Sequence, residues 1–404
     1  MQMALVHDWL TGMRGGEKCL EVFCELFPDA DLLTLLHVPG SVSPTIERHR
    51  IVTSLVQQLP GSFRWYRYYL PLMPTAIETL DLSPYDVVLS SSHCVAKGAI
   101  TRPDALHVAY IHAPMRYVWD LWPQYFPPQR WLRRTLVPLI LNYLRMWDVT
   151  SAHRVDHFVA NSHFVASRLA KYYRRGATVI YPPVDTTFFT PGEATDDYYL
   201  MVTALVPYKG VELALQAFNR LRRPLKIIGS GPLAGQLKAM AGAQVEFLGW
   251  RSDEELRHYY AACRALIFPA LEDFGIVPLE AQAAGRPVIA LGQGGALETV
   301  LPANAPGNPA VVHPAVDTQY IPTGVFFFQR TPEALQAAVQ FFEAHETLFS
   351  PAGIRRHAQQ FDRRVFAQRI EQFLTAALAA HRRTANRNGG VWNTGAPPVD
   401  AQKA

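Results

Sequence analysis

Short apolar segments alternate with longer amphipathic segments along most of this chain, and this pattern predicts strands separated by helices. In the first half the predicted strands are residues 3–6, 31–36, 86–90, 107–111, 156–160 and 178–181. In the second half they are residues 198–203, 225–229, 244–248, 265–269 and 287–290, with helices predicted at 210–221, 233–241, 253–262 and 277–284. Alternation of this kind favours parallel sheets with helices on both faces, so the predicted fold class is α/β.

The break between the two alternating series predicts the domain organisation. Residues 1–185 form the first predicted domain and residues 198–350 the second, and both are expected to be doubly wound and Rossmann-like. A last helix, at about 363–382, is expected to cross back over the first domain. The polar tail at 383–404 contains one Gly-Gly pair and one Pro-Pro pair and is expected to be disordered.

The composition limits the classes of protein to which the chain can belong. With 404 residues, 49% of them hydrophobic and 18% charged, the chain is long enough for two cores and too apolar for a disordered protein. A net charge of +4 is too small to indicate nucleic acid, and no such partner is expected. The four cysteines have no metal-ligand spacing, so no metal is expected. No signal peptide and no apolar run of about 18 residues is apparent, which predicts a cytoplasmic protein.

The loop that follows the predicted strand 265–269 carries the clearest candidate chemistry. Glu272 and Glu280 flank it, and the backbone amides of Phe274, Gly275 and Ile276 lie at the predicted start of a helix. A helix N-terminus attracts anions, and Gly275 leaves room for a ligand to approach. This arrangement suits a ligand with both phosphate and hydroxyl groups, such as a nucleotide-sugar. Two acidic residues at this spacing are, however, also typical of ordinary solvated carboxylates.

Three other predicted loops at the carboxyl ends of strands contribute candidate binding residues. The first contains Gly15 and Gly16 but no GxGxxG pattern, which disfavours a nicotinamide dinucleotide. His112 directly follows the strand 107–111, and Lys209 stands between a strand and a helix, where its ammonium group would neutralise phosphate oxygens. Each of these residues, taken singly, is also compatible with a structural role.

Two segments combine aromatic, aliphatic and basic side chains: 63–73 (FRWYRYYLPLM) and 130–147 (RWLRRTLVPLILNYLRMW). This composition is typical of segments that lie at a membrane surface. A core-packed helix whose arginines reach to solvent has the same composition. Pro138 interrupts the second segment, and both interpretations stay open from the sequence.

The sequence resembles retaining glycosyltransferase family 4, which has the GT-B fold. Four features carry the resemblance: the Gly15–Gly16 loop, His112 in YIHAPMRYVWD, Lys209 in LVPYKG, and EDFGIVPLE, which matches the E-x7-E signature of the family. YIHAPMRYVWD is similar to the bacterial mannosyl- and related transferases that build surface polysaccharides. The resemblance implies two Rossmann-like domains that face a central cleft.

The resemblance also implies roles for individual residues, with Glu272, Lys209 and His112 as the catalytic set. By the resemblance, Lys209 would bind the donor diphosphate, Glu272 the sugar hydroxyls and Glu280 the ribose. The backbone of Phe274, Gly275 and Ile276 would contact the sugar and phosphate. Gly15 and Gly16 would let the first loop approach the diphosphate, and His112 would lie over the transferring sugar.

One position departs from the family pattern. Many relatives carry an arginine five residues before the lysine as a second cation for the diphosphate, and here that residue is Ala204. Arg251 is the candidate to replace it as a donor-binding residue. The implied reaction keeps the configuration at the anomeric carbon, and the leaving diphosphate takes the proton of the acceptor. Neither a metal nor another cofactor is expected.

The function predicted from the resemblance is transfer of a sugar, mannose from GDP-mannose, to a growing lipid-linked surface polysaccharide. The expected acceptor is lipid-linked or an oligosaccharide, and a lipid-linked acceptor would bring the protein to the anionic inner face of the plasma membrane. Two other functions stay open: a nucleotide-sugar epimerase or hydrolase with the same fold, and a non-catalytic paralogue that only binds a nucleotide-sugar.

Overall fold

The computed structural model describes residues 1–120, 122, 131–303 and 321–388, with only the backbone described for 131–135 and 385–388. Within these ranges the first domain contains one parallel sheet. Its strands are β1 (Met3–His7), β2 (Asp31–Thr34), β3 (Ile51–Thr53), β4 (Val87–Ser92), β5 (Leu106–Ile111), β6 (His157–Ala160) and β7 (Thr178–Val179). They lie in the order β3–β2–β1–β4–β5–β6–β7, so the strand order reverses between β1 and β4. In sheets of this kind the reversal point marks the ligand crevice.

The second domain contains a smaller parallel sheet. Its strands are β8 (Tyr199–Val202), β9 (Leu225–Ile228), β10 (Val245–Gly249), β11 (Leu266–Phe268), β12 (Val288–Leu291) and β13 (Gly324–Phe327). Their order is β10–β9–β8–β11–β12–β13, with the reversal between β8 and β11. The sequence analysis does not assign β3 or β13 as strands.

Helices accompany both sheets. Those of the first domain are α1 (Gly15–Leu26), α2 (Pro44–Glu47), α3 (Ser62–Trp65), α4 (Met73–Glu78), α5 (Trp131–Ala152) and α6 (His163–Tyr172). Those of the second are α7 (Val211–Leu221), α8 (Ala234–Met240), α9 (Asp253–Ala262), α10 (Ile276–Ala283), α11 (Ala296–Thr299), α12 (Pro332–Ala344) and α13 (Pro351–Ala358). The last helix, α14 (Arg363–Asn388), packs Phe366 and Ile370 into the core of the first domain beside Phe23 of α1.

Helix α14 differs from the prediction at its C-terminal end. It continues through Arg383 to Asn388, whereas the sequence predicts a disordered tail from Arg383. Neither glycine nor proline interrupts the chain between these residues, so nothing in this stretch terminates the helix. The rest of the predicted tail, 389–404, lies outside the described residues.

The two aromatic and basic segments lie side by side in the first domain. Segment 63–73 spans most of α3, a 3₁₀ turn at Tyr66–Leu72 and the first residue of α4. α5 is a single helix through Pro138, and its Leu141 and Leu144 are buried in the same core cluster as Tyr66 and Met73. In the part of the chain that the structure describes, no helix has the length and apolarity that crossing a membrane requires.

His107 on β5 is a buried histidine that makes the stability of the first domain depend on pH. Its side chain is fully buried, with Nε2 at 2.9 Å from Ser90 Oγ and Nδ1 without a hydrogen-bond partner among the described residues. Burial, reinforced by the charges of Arg154 and Lys97, lowers the pKa of His107 from its usual 6.5 to about 3. In the folded chain His107 therefore stays neutral below pH 6.5, where the same histidine in the unfolded chain becomes protonated.

We predict that His107 makes the protein less stable in mild acid. Its contribution lowers the free energy of unfolding by about 1.4 kcal/mol per pH unit below the usual pKa of histidine. Urea unfolding at about pH 7 and about pH 5 should show a loss of about 2 kcal/mol that is absent in His107→Gln. The exposed His153→Gln is the control and should keep the loss. Equal pH dependence in wild type and His107→Gln would contradict the prediction.

Candidate active site

A cavity of about 770 Å³ lies between the two domains, where the carboxyl ends of both sheets face each other. The first domain contributes Gly15, Gly16 and His112 to its lining, and the second contributes Lys209 and Asp273. A cavity of this volume is within the range of small-molecule sites. The topology therefore brings together loops that are far apart in the sequence.

Lys209 reaches this cavity because of a tight turn after β8. The turn Pro207–Lys209 is followed by Gly210 at φ +71°, a conformation that favours glycine. A Cβ at Gly210 would lie 3.1 Å from the carbonyl oxygen of Pro269, so the turn packs directly against the loop after β11. The Lys209 ammonium forms an ion pair with the Glu272 carboxylate, and both side chains are half-buried. β8 and β11 are neighbours at the strand-order reversal, which places these residues together.

The glycine turn after β12 packs against the loop that holds Glu272. Gly295 N donates to the carbonyl oxygen of Glu272 at 2.9 Å, and a Cβ at Gly295 would lie 2.3 Å from Phe274 Cα. The Phe274 side chain is buried and stacks on Tyr181 with ring centroids 5.5 Å apart. The ring of Phe274 thus anchors the loop, and Gly275, at φ +92°, starts α10. The sequence shows the Gly294–Gly295 turn but not that it supports this loop.

Glu280 lies on α10 with its carboxylate buried and with one partner on each oxygen. Tyr260 Oη donates to Oε2 at 2.9 Å, and Lys18 Nζ lies 2.9 Å from Oε1. Lys18 also lies 3.5 Å from Asp253. Because Lys18 belongs to α1, this ion pair crosses between the domains, and Glu280 raises the pKa of Lys18 above its usual value. Both carboxylates of the E-x7-E signature are therefore paired with lysines.

His112 and the glycine pair line the opposite wall. A Cβ at Gly15 would lie 3.0 Å from Ile276 Cδ1, so the N-termini of α1 and α10 approach each other closely. At Gly16 a Cβ would lie 3.8 Å from His112 Nε2. That Nε2 is 2.8 Å from Ser91 Oγ, and burial lowers the pKa of His112 well below its usual value, which keeps the ring neutral.

Arg251, like Glu272 and Glu280, lies outside the described lining of the cavity, and its role as a donor-binding residue stays a prediction. Arg251 follows β10, the outer strand of the second sheet, and its Nε lies 3.6 Å from Glu255 Oε1. It does not line the described cavity, whereas Arg14 and Arg116 do. Strand order, which the sequence does not show, separates Arg251 from Lys209.

A cluster of charged residues that the sequence analysis missed joins the domains beside Glu272. The Asp273 carboxylate pairs with Arg168 of α6 at 2.5 Å and with Arg116 at 3.3 Å, and Arg168 also pairs with Asp120. Burial raises the pKa of Asp273, while both arginines act against that rise. A second contact lies nearby, where Glu298 accepts hydrogen bonds from the first backbone amides of α6, 2.7 and 2.9 Å away. The motif YIHAPMRYVWD contains Arg116, but no feature of the neighbouring sequence identifies Asp273 as its partner.

Two facing Rossmann-like domains with a cleft at their strand ends define the GT-B class of protein. Solved structures agree: the chain matches HepE from Anabaena in complex with UDP with a TM-score of 0.66 and 17% identity, over 93% of this chain and 100% of that one. It matches sucrose-phosphate synthase from Thermosynechococcus elongatus with a TM-score of 0.67 and 17% identity, over 94% of this chain and 100% of that one. At this level of identity the likeness shows the fold, and the predicted GT-B fold is confirmed.

Sequence models of two protein families match the chain, one for each domain. Glycosyltransferase Family 4 matches residues 15–188, and Glycosyl transferases group 1 matches residues 185–350. The chain belongs to glycosyltransferase family 4, as its motifs predict.

Curated relatives of the chain include mannosyltransferases. O-antigen chain mannosyltransferase C of Escherichia coli is 36% identical over 101 residues, which are 23% of this chain and 27% of that protein. Alpha-1,3/1,6-mannosyltransferase ALG2 of Candida glabrata is 26% identical over 285 residues, 55% of this chain and 59% of that protein. The matches therefore cover less than two thirds of these relatives' lengths.

Proposed function

We propose that this protein transfers a sugar from a nucleotide-sugar donor to a lipid-linked acceptor of a growing surface polysaccharide, with GDP-mannose as the donor. The observation that carries the proposal is the ion pair of Glu272 with Lys209, a residue that lines the interdomain cavity, in the loop that leads into α10. Mannose is supported by the mannosyltransferases among the relatives.

The ion pairs of the site suggest how a donor is bound. A diphosphate would attract the Lys209 ammonium, which frees the Glu272 carboxylate to accept hydrogen bonds from sugar hydroxyls. Glu280, held by Tyr260, has lone pairs left for ribose hydroxyls. As the bond between sugar and diphosphate breaks, Lys209 and the amides at the start of α1 and α10 would stabilise the charge on the leaving group.

A nucleotide-sugar panel tests this function. GDP-mannose and GDP should raise the melting temperature more than UDP-glucose and UDP, since a ligand that binds only the folded state stabilises it. Radiolabelled mannose should then pass from GDP-mannose into the polyprenyl lipid fraction of bacterial membranes. Release of GDP without an acceptor as fast as with one would indicate a hydrolase, and stabilisation without turnover would indicate a non-catalytic paralogue.

We predict that transfer does not need a divalent cation. Lys209 and two helix N-termini supply the positive charge that a metal provides in other transferases. Excess EDTA should leave the initial rate of sugar transfer unchanged. A loss of rate in EDTA that added Mg²⁺ or Mn²⁺ restores would contradict the prediction.

We also propose that the first domain docks on an anionic membrane surface. Leu139, Tyr143 and Met146 of α5 are 66%, 40% and 57% exposed, on the side opposite to the buried Leu141 and Leu144. Trp65 and Tyr68, 54% and 82% exposed, project from the neighbouring segment beside Arg64 and Arg67. Aromatic side chains with basic neighbours suit the headgroup region of a bilayer. Arg130 and the side chains of Arg133 and Arg134 lie outside the described residues.

Co-sedimentation with vesicles that contain phosphatidylglycerol tests the docking. Wild type should sediment at low salt, and Leu139→Glu with Met146→Glu should stay in the supernatant, with nucleotide binding retained. Arg64→Glu with Arg67→Glu should weaken binding mainly at low salt, because each cation near such a surface contributes about 1 kcal/mol. Leu348→Glu, at a 49% exposed leucine of the second domain, is the control. If the wild-type protein stays in the supernatant with anionic vesicles at low salt, the proposal is wrong.

A further inference from the structure

One cation that the family pattern places near Lys209 is missing from this chain. The position is Ala204, which is exposed and lies two residues after the end of β8. The diphosphate of a nucleotide-sugar carries more than one negative charge, so Lys209 alone leaves part of that charge without a cation. A second cation that reaches the same cavity would complete the site.

Three arginines, Arg14, Arg67 and Arg116, are among the described residues that line the interdomain cavity. Arg116 pairs with Asp273 at 3.3 Å, and the Arg67 guanidinium lies over the ring of Tyr66, 5.5 Å from its centroid. The Arg14 side chain is exposed, and its guanidinium has no ion-pair partner in the described part of the chain. Of the three, Arg14 is therefore the arginine whose charge is most available to an anionic ligand.

The main chain of Arg14 is held in place at the start of α1 by a buried carboxylate. The backbone N–H of Arg14 donates to Glu17 Oε2 at 3.1 Å, and Glu17 Oε1 lies 3.6 Å from His7 Nε2. The Glu17 carboxylate is thus directed to a backbone amide and to His7, and it forms no ion pair with the guanidinium. The position of Arg14 is fixed, while its positive charge is left free for a ligand.

The start of α1 lies against residues of the second domain that the family resemblance assigns to the donor. A Cβ at Gly15, the neighbour of Arg14, would lie 3.0 Å from Ile276 Cδ1 at the start of α10. One turn further along α1, Lys18 Nζ lies 2.9 Å from Glu280 Oε1. Two contacts therefore join α1 to α10, and Arg14 stands at the end of α1 that borders the cavity.

We propose that Arg14 binds the donor diphosphate as its second cation, in place of the arginine that is absent at Ala204. The inference rests on the proposed use of a nucleotide-sugar donor. A guanidinium suits this task because it can donate two parallel hydrogen bonds to phosphate oxygens. The first domain then supplies Arg14 and the second supplies Lys209, whereas the family pattern takes both cations from the second domain. The diphosphate therefore links the two domains.

Calorimetric titration with GDP tests the role of Arg14. Arg14→Gln should weaken GDP binding about 10- to 100-fold, because hydrogen bonds between charged groups are lost, and Arg14→Lys should lose less. Guanosine, which has no phosphate, should bind to wild type and Arg14→Gln equally. Arg356→Gln, at an exposed arginine of α13, is the control and should bind GDP as wild type does. Unchanged GDP affinity in Arg14→Gln, or an equal loss for guanosine and GDP, would overturn the proposal.

Ala204→Arg adds a rescue experiment. Because Ala204 is exposed, an arginine fits there without a change in the core. Ala204→Arg should restore most of the GDP affinity that Arg14→Gln loses, and it should increase the affinity of wild type less, since both arginines would contact one diphosphate. If Arg251→Gln weakens GDP binding and Arg14→Gln does not, the second cation is Arg251 and the proposal is wrong.

The choice of nucleotide separates this inference from the proposed function. UDP carries the same diphosphate on another base. If wild type binds UDP and not GDP, the assignment of GDP-mannose as donor fails, and Arg14→Gln should then show its loss of affinity with UDP. Equally tight binding of GDP by wild type and by Arg14→Gln would instead refute the role of Arg14 and leave the proposed function in place.

Discussion

Lys209→Ala and Glu272→Ala are each expected to lower kcat/KM for sugar transfer by a factor of about 30 to 1000, with the fold intact. Both residues follow neighbouring strands, β8 and β11; Lys209 lines the interdomain cavity, and Glu272 forms an ion pair with it. Loss of one preorganised charge at the leaving group costs about 2–4 kcal/mol in the transition state. The rates of the purified variants, with circular dichroism as the test of folding, measure the effect.

The control variants for this prediction keep the chemistry of the substitution and change only its place. Lys238→Ala and Glu254→Ala remove the same side chains at exposed positions of the second domain. Both should keep the wild-type rate. The double variant of Lys209 and Glu272 should lose less than the product of the two single losses, because each single variant leaves the other charge without its partner. Wild-type turnover by either folded single variant would show that the site lies elsewhere.

Asp273→Ala is expected to destabilise the protein by about 3 kcal/mol and to weaken donor binding. The substitution removes the carboxylate that pairs with both Arg168 and Arg116, and the Arg168 side chain is only 8% exposed. Removal of one partner from a buried ion pair costs about 3–5 kcal/mol, and the value here is at the lower end because Arg168 keeps Asp120. Donor binding should weaken as well, since Asp273 is adjacent to Glu272 and ties its loop to the first domain.

Urea unfolding and calorimetric titration with GDP measure these two effects. Asp273→Asn should give an intermediate loss, because the amide oxygen still accepts one hydrogen bond. Glu333→Ala removes an ion pair of similar composition with Arg220, but both side chains are more than half exposed, so no measurable change is expected. An Asp273→Ala variant with the wild-type urea midpoint would mean that these ion pairs do not hold the domains together.

The alternation of short apolar and longer amphipathic segments was sufficient to predict most of the fold. Strands β8 to β12 and the helices between them form where the pattern indicates, since each buried strand must be apolar and each helix must cover a sheet with one face. Strands β3 and β13 were missed, and the pattern also failed where nothing but composition marked an end. The polarity of the residues after Arg382 indicated disorder, but α14 continues to Asn388.

The placement of Glu272 and Lys209 together followed from a rule about sheets: residues directly after neighbouring parallel strands meet at one edge. The same rule does not say which strands are neighbours. Arg251 also follows a predicted strand, but β10 is the outer strand of its sheet, two positions away from β8. Arg251, offered as a replacement for the arginine that is missing at Ala204, therefore stays a prediction as a donor-binding residue.

The sequence by itself determined the fold class, the family and the individual groups that can carry charge in the site, because apolar periodicity and local motifs are properties of adjacent residues. Tertiary structure alone decided the partners of those groups. The pairs of Lys18 with Glu280 and of Asp273 with Arg116 and Arg168 join residues that are separated by long stretches of chain. Their encounter depends on strand order and on the approach of two domains, and the free energy of burying each charge is offset only once its partner is in place.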